Sequence, residues 1–145
     1  MTLKPLLNVL GALLTLLGTS MLVPIFISFY SNGYDLYGFI YSALICVSIG
    51  TPVWFFTRNN KSLNNKVGFA VVTFSWIIAA LAGSLPFYLS GAIPNFTDAF
   101  FESISGITTT GSTVIVQLDS LSEGILIWRA FLQWFGGIGI IVIAV

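Results

Sequence analysis

Charged residues are so sparse along this chain that they divide it into long uncharged runs of membrane-crossing length. Residues 6–30 and 36–57 carry no charge, and a third apolar run opens at Val67 and can be drawn as a helix to Leu89. At about 1.5 Å per residue each covers a hydrocarbon core of about 30 Å. Pro24 predicts a kink in the outer part of the first run, which a helical bundle tolerates. That run follows Lys4, as a signal peptide would, but it is too long and has no A-x-A site after it. It is expected to be a retained span.

The pattern changes between Asn95 and Ser105. Asn95 is a good N-cap, and Asp98 three residues later makes a capping-box-like pair with it. A helix over 96–105 would be about 15 Å long, half of a bilayer core. Phe96, Ala99, Phe100 and Ile104 predict its buried side, and Gly106 its end. A polar segment follows, 107–113, with Thr108, Thr109, Thr110, Gly111, Ser112 and Thr113. A last apolar helix is expected over 121–145. The order is span, span, span, half-helix, polar loop, span. The predicted fold class is therefore an all-α membrane protein. Two N-terminal transmembrane helices with a basic loop fill 1–66, and one helix–pore loop–helix repeat fills 67–145, expected to be truncated at its C-terminal end.

Composition sharpens this picture. Apolar residues make up 57% of the chain and charged residues 7%, against about a quarter charged in a soluble domain. There is no histidine and one cysteine, Cys46. That removes a disulfide framework, a His/Cys zinc site and histidine-based catalysis, and an enzyme is not expected. Five basic residues balance five acidic ones, leaving no basic excess to hold nucleic acid.

The positions of these charges predict orientation. Lys4, Arg58, Lys61 and Lys66 lie at the start or in the second loop, so both segments should be cytoplasmic. Asp35 in the turn after Ser31, and Asp98, Glu102, Asp119 and Glu123, then fall on or near the outer face. Arg129 alone is a basic residue inside a span. Such charges are functional or paired. It would either act on the pore electrostatically or, the favoured reading, pair with Glu102 or with carbonyls behind the half-helix. Asp98, Asp119 and Glu123 are either attractors of cations at a pore mouth or solvated loop charges.

A Thr/Gly-rich segment after a short descending helix has a physical use. Carbonyl oxygens aimed at one axis can replace the hydration shell of a monovalent cation. Glycine permits the backbone reversals this needs, and threonine adds hydroxyl acceptors. The half-helix presents the negative end of its dipole to the same place.

The stretch Phe101-Glu-Ser-Ile-Ser-Gly-Ile-Thr-Thr-Thr-Gly-Ser-Thr113 resembles the first pore loop of the Trk/Ktr/HKT potassium-transporter superfamily. Trp128-Arg129, followed by Trp134-Phe-Gly-Gly-Ile-Gly-Ile-Ile141, resembles the inner helix after that loop in TrkH-type subunits. The resemblance runs over the whole chain. It implies four non-identical repeats in one longer chain, a homodimer, and a cytosolic nucleotide-binding regulatory subunit. It also implies a multi-pass inner-membrane protein with its N-terminus in the cytoplasm. The transported ion would be K+, with no cofactor. Gly111 would be this repeat's filter glycine, Thr109 and Thr110 its ion-coordinating neighbours, and Thr108 the inner margin of the site. Two rival readings remain at this point: a complete single-repeat channel subunit forming a homotetramer, and a non-conducting membrane scaffold.

Overall fold

The computed structural model describes residues 3–58 and 65–144, with side chains at 3–58 and 67–139. Its helices are α1 (Lys4–Ser20), α2 (Leu22–Ser31), α3 (Leu36–Thr57), α4 (Asn65–Leu89), α5 (Phe96–Ile107) and α6 (Glu123–Ala144), with a 3-10 turn at Leu118–Ser120 before α6. Three helical stretches among the described residues are long and apolar enough to cross a membrane: Lys4–Ser31, Leu36–Thr57 and Val67–Leu89. The basic loop predicted at Arg58–Lys66 falls largely outside the described residues. Arg58 is described, and its guanidinium lies 5.9 Å from the centre of the Phe55 ring.

The first predicted helix, 6–30, is two helices, interrupted at Met21. The break lies just before Pro24, which offers no N–H to the Ser20 carbonyl one turn back and crowds it with its ring. Met21 turns fully inward at that point. The half-helix runs two residues further than predicted, through Gly106 to Ile107. Glycine lowers helix stability without stopping a helix, and Gly106 packs inside against Leu132. The last helix starts at Glu123, two residues later than predicted, because Leu118–Ser120 is wound as a 3-10 turn and Leu121 is extended.

α1 packs most extensively on α3. Gly11 and Gly50 face each other there, and a Cβ on Gly50 would stand 2.7 Å from the Thr15 backbone nitrogen. Small residues thus bring two backbones into van der Waals contact, the packing that membrane helices favour. A second layer forms where α4, α5 and α6 meet. Trp128 on α6 is fully buried, its Nε1 donates to the Gly83 carbonyl of α4 at 2.9 Å, and its ring meets Phe39 of α3 edge-on at 6.1 Å. Cys46 fills space within this core.

The outward faces are apolar. Tyr30, Tyr34 and Tyr37 are exposed at one end, and Trp54, Phe55 and Phe56 at the other end of α3. Two aromatic zones a helix length apart match the two headgroup levels of a bilayer.

Candidate functional site

α5 begins where the sequence places it. The Asn95 side-chain oxygen accepts the Thr97 N–H at 3.0 Å, and Asp98 lies in the first turn. Its buried side is not the predicted one. Ala99 is buried, but Phe96 and Ile104 are exposed, and the inward residues are Glu102, Ser103, Ser105, Gly106 and Ile107. In an apolar solvent, phenylalanine gains little by turning inward, whereas small and polar residues gain partners there. At 12 residues α5 is about 18 Å long, still well short of a bilayer core.

At its C-terminal end the chain folds back on the last turn. The N–H groups of Thr108 and Thr109 donate to Ile104 and Gly106, and those of Thr110 and Gly111 both donate to the Ser105 carbonyl, at 3.0 and 3.4 Å. Among the described residues, no hydrogen bond ends on the carbonyl oxygens of Thr108, Thr109, Thr110 or Gly111. Four consecutive donors are thus consumed by the helix end while their partner carbonyls stay free. The backbone reverses at Thr109 (φ +57°) and again at Gly111 (φ +77°). A β-branched residue in the left-handed region costs about 1–3 kcal/mol and is held only by its surroundings. The four residues are exposed, and the Thr108 and Thr110 hydroxyls are 2.8 Å apart.

The outgoing strand is pinned from behind. The Ser105 hydroxyl donates to the Ser112 carbonyl. The Glu102 carboxylate, nearly inaccessible, accepts from the Thr113 hydroxyl at 2.9 Å and from the Val114 N–H at 3.1 Å. Arg129 Nε of α6 donates to its other oxygen at 2.6 Å. Of the two readings open for Arg129, the geometry is that of the pair: its guanidinium binds Glu102 behind the loop. One buried carboxylate thereby joins half-helix, loop and final helix, and a hydrogen-bonded network of this kind rigidifies what it touches. Ser105 and Thr113 escaped the sequence reading as anchors, since serine and threonine in a polar loop carry no signal of which partner they will meet.

The glycines after Trp134 divide in role. A Cβ on Gly136 would run into the backbone carbonyl of Ile107, whereas among the described residues Gly137 and Gly139 have no neighbour that a Cβ would meet. Gly136 is where α6 passes the end of the half-helix. Gly136→Ala is expected to lower stability by about 3 kcal/mol through overpacking against rigid backbone, read as a reduced thermal midpoint of the detergent-solubilised full-length protein. The same change at Gly137 should be near neutral.

Apolar spans around a half-length helix and a loop of free carbonyls define an integral membrane protein of the all-helical, multi-pass class. Its sequence places it more narrowly. The chain belongs to the TrkH family, whose model, described as a cation transport protein, matches residues 38–145. It is similar to the Trk system potassium uptake protein TrkH of Vibrio parahaemolyticus, with 43% identity over the whole chain and 30% of that protein. The TrkH protein of Escherichia coli is 42% identical over 95% of the chain and 29% of its own length. The crystal structure of the potassium transporter TrkH from Vibrio parahaemolyticus superposes with a TM-score of 0.89 and 40% identity, over 99% of this chain and 31% of that one. The chain therefore spans about 30% of the length of the curated relatives it matches. These relatives are named as transporters and uptake proteins.

Proposed function

We propose that this sequence supplies one of four selectivity-filter strands in a potassium uptake protein of the cell inner membrane. K+ passes inward through a channel-like pore, drawn by the membrane potential at about 2.3 kcal/mol per charge per 100 mV. The observation that carries the reading is the orientation of the loop, with four N–H groups bound to the end of α5 and four carbonyls unpaired. Free carbonyls beside the negative end of a helix favour a dehydrated cation and disfavour an anion. In this reading Thr109, Thr110 and Gly111 coordinate K+, and Thr108 borders the site on the inner side. One strand cannot enclose an ion, and the other three come from further repeats of a longer chain, consistent with the 30% coverage of its relatives.

Residues 1–66 hold two accessory membrane spans, α1 with α2 and then α3, and 67–145 the first repeat. The basic ends of α1 and α3 face the cytoplasm, with the N-terminus there. The transporter acts as a homodimer in the lipid bilayer and is gated by a cytosolic nucleotide-binding subunit, as the family resemblance implies. No cofactor takes part, and the scaffold alternative loses ground to the free carbonyls.

The test is ion uptake by the full-length protein carrying this sequence, in cells without potassium uptake systems of their own and in liposomes. Growth at low K+ and potential-driven K+ flux are expected. A membrane-inserted protein that restores neither overturns the proposal. Ser105→Ala removes the hydroxyl that holds Ser112. It should weaken the preference for K+ over Na+ about fivefold, the equivalent of one lost hydrogen bond, measured by competition of Na+ with K+ uptake.

A further inference from the structure

We propose that Asp35, in the turn between α2 and α3, is a positioning residue for the filter loop, acting through α6. The inference rests on the filter reading above and extends it to the two leading helices. The sequence placed Asp35 in a polar turn on or near the outer face. In the fold it is completely buried, and its Oδ2 accepts the Ser28 hydroxyl at 2.8 Å. The Ser28 hydroxyl and that same carboxylate oxygen lie against Gly124 in the first turn of α6, where any side chain would collide with both. The contact recurs one turn further on. Phe39, four residues after Asp35, meets Trp128, four residues after Gly124. α6 is thus met at two successive turns, at Gly124 by the turn before α3 and at Trp128 by Phe39.

The chemistry of the joint is demanding. Asp35 Oδ1 and Ser122 Oγ, the latter immediately before α6, are buried and have no hydrogen-bond partner among the described residues. Buried unpaired oxygens are costly, and a fold that keeps them does so for a reason. The carboxylate lies at the positive end of α6 and at the start of its own helix α3, so two helix dipoles hold its charge in place. α6 then carries Arg129 about one and a half turns below Gly124, and Arg129 holds Glu102, which holds Thr113 and Val114. A shift of α6 along its axis would be passed to the outgoing strand of the loop through charged hydrogen bonds, which are strongly directional. The leading helices are therefore a brace that sets the height of α6.

The experiment uses the full-length protein in cells without potassium uptake systems of their own. K+ and Na+ uptake are measured per membrane-inserted molecule, with Gly111→Ser as reference. Asp35→Asn keeps the shape and removes the charge, and Gly124→Ala pushes the joint apart from the other side. Both are expected to reduce the preference for K+ over Na+ about tenfold, because a site held loosely by its supports loses geometric selectivity. A purely structural role would change only the amount of protein in the membrane. The proposal is overturned if Gly111→Ser alters ion preference while Asp35→Asn and Gly124→Ala change amounts alone. An unchanged preference in Gly111→Ser itself removes the filter reading, and this inference with it. If Asp35→Asn fails to reach the membrane, Ser28→Ala, which leaves the carboxylate in place, carries the same comparison.

Discussion

Replacing Gly111 by serine in the full-length protein is expected to remove at least about tenfold of the preference for K+ over Na+ while leaving most of the protein in the membrane. Gly111 has φ +77°, and among the described residues a Cβ built there meets nothing within 4 Å. The penalty is therefore conformational, about 1–2 kcal/mol for an L side chain in the left-handed region, and not a collision. The cheapest relief is rotation of the adjoining peptide, which would redirect one of the carbonyls that the proposed filter uses. An ion site made of backbone dipoles loses selectivity when one of them turns. Alanine should act like serine, since the cause is the Cβ and not the hydroxyl. The measurement is the ratio of K+ to Na+ uptake at matched protein levels, and an unchanged ratio for both variants counts heavily against Gly111 as a filter residue.

Arg129→Gln is expected to act chiefly on the amount of protein, with a large loss, and the molecules that remain should show a change in ion preference comparable to that of Asp35→Asn, whose effect runs through this residue. Arg129 is mostly buried, 17% exposed, and Glu102 is 1% exposed on its side chain. Removing one partner of such a pair strands the other charge in a medium that solvates it poorly, at a cost of about 3–5 kcal/mol. The Thr113 and Val114 hydrogen bonds to Glu102 remain, so the loop keeps part of its support. Membrane-inserted protein should fall several-fold by quantitative immunoblot. Glu102→Gln added to Arg129→Gln removes the stranded charge and should recover part of the lost protein, the coupling expected of residues in direct contact. Normal protein levels with altered ion preference would instead make Arg129 an electrostatic element of the pore.

Length of uncharged run and position of charge were enough to read the long apolar helices, though not the break at Met21 within the first. A run such as 36–57 admits one structure in a membrane, because backbone polar groups there must be paired within the segment. α3, Leu36–Thr57, matches the prediction at both ends. α5 was legible for a different reason, the cap at Asn95 and the short run after it. Its facing was not legible. A water-soluble helix turns Phe96 and Ile104 inward, and this one turns Glu102, Ser103 and Ser105 inward. Hydrophobicity tells in from out only where the outside is water.

The candidate site divides along the same line. Thr108–Gly111 stands out as a Thr/Gly segment after a half-length helix, and the pairing of Glu102 with Arg129 could be proposed because a charge within a span requires a partner. The anchors Ser105 and Thr113, the need for Gly136 beside Ile107, and the burial of Asp35 against Gly124 involve residues far apart in the chain with no periodicity to link them. By itself the sequence determined an all-helical membrane protein, its long apolar helices and the Thr/Gly segment proposed as its site, since each follows from local composition and spacing. Only the tertiary structure decided which carbonyls are free among the described residues, which oxygens are pinned, and that Asp35 of the turn before α3 is buried against Gly124 of the last helix. Those depend on backbones approaching within van der Waals distance, and close approach is a property of pairs of segments that no single stretch of sequence contains.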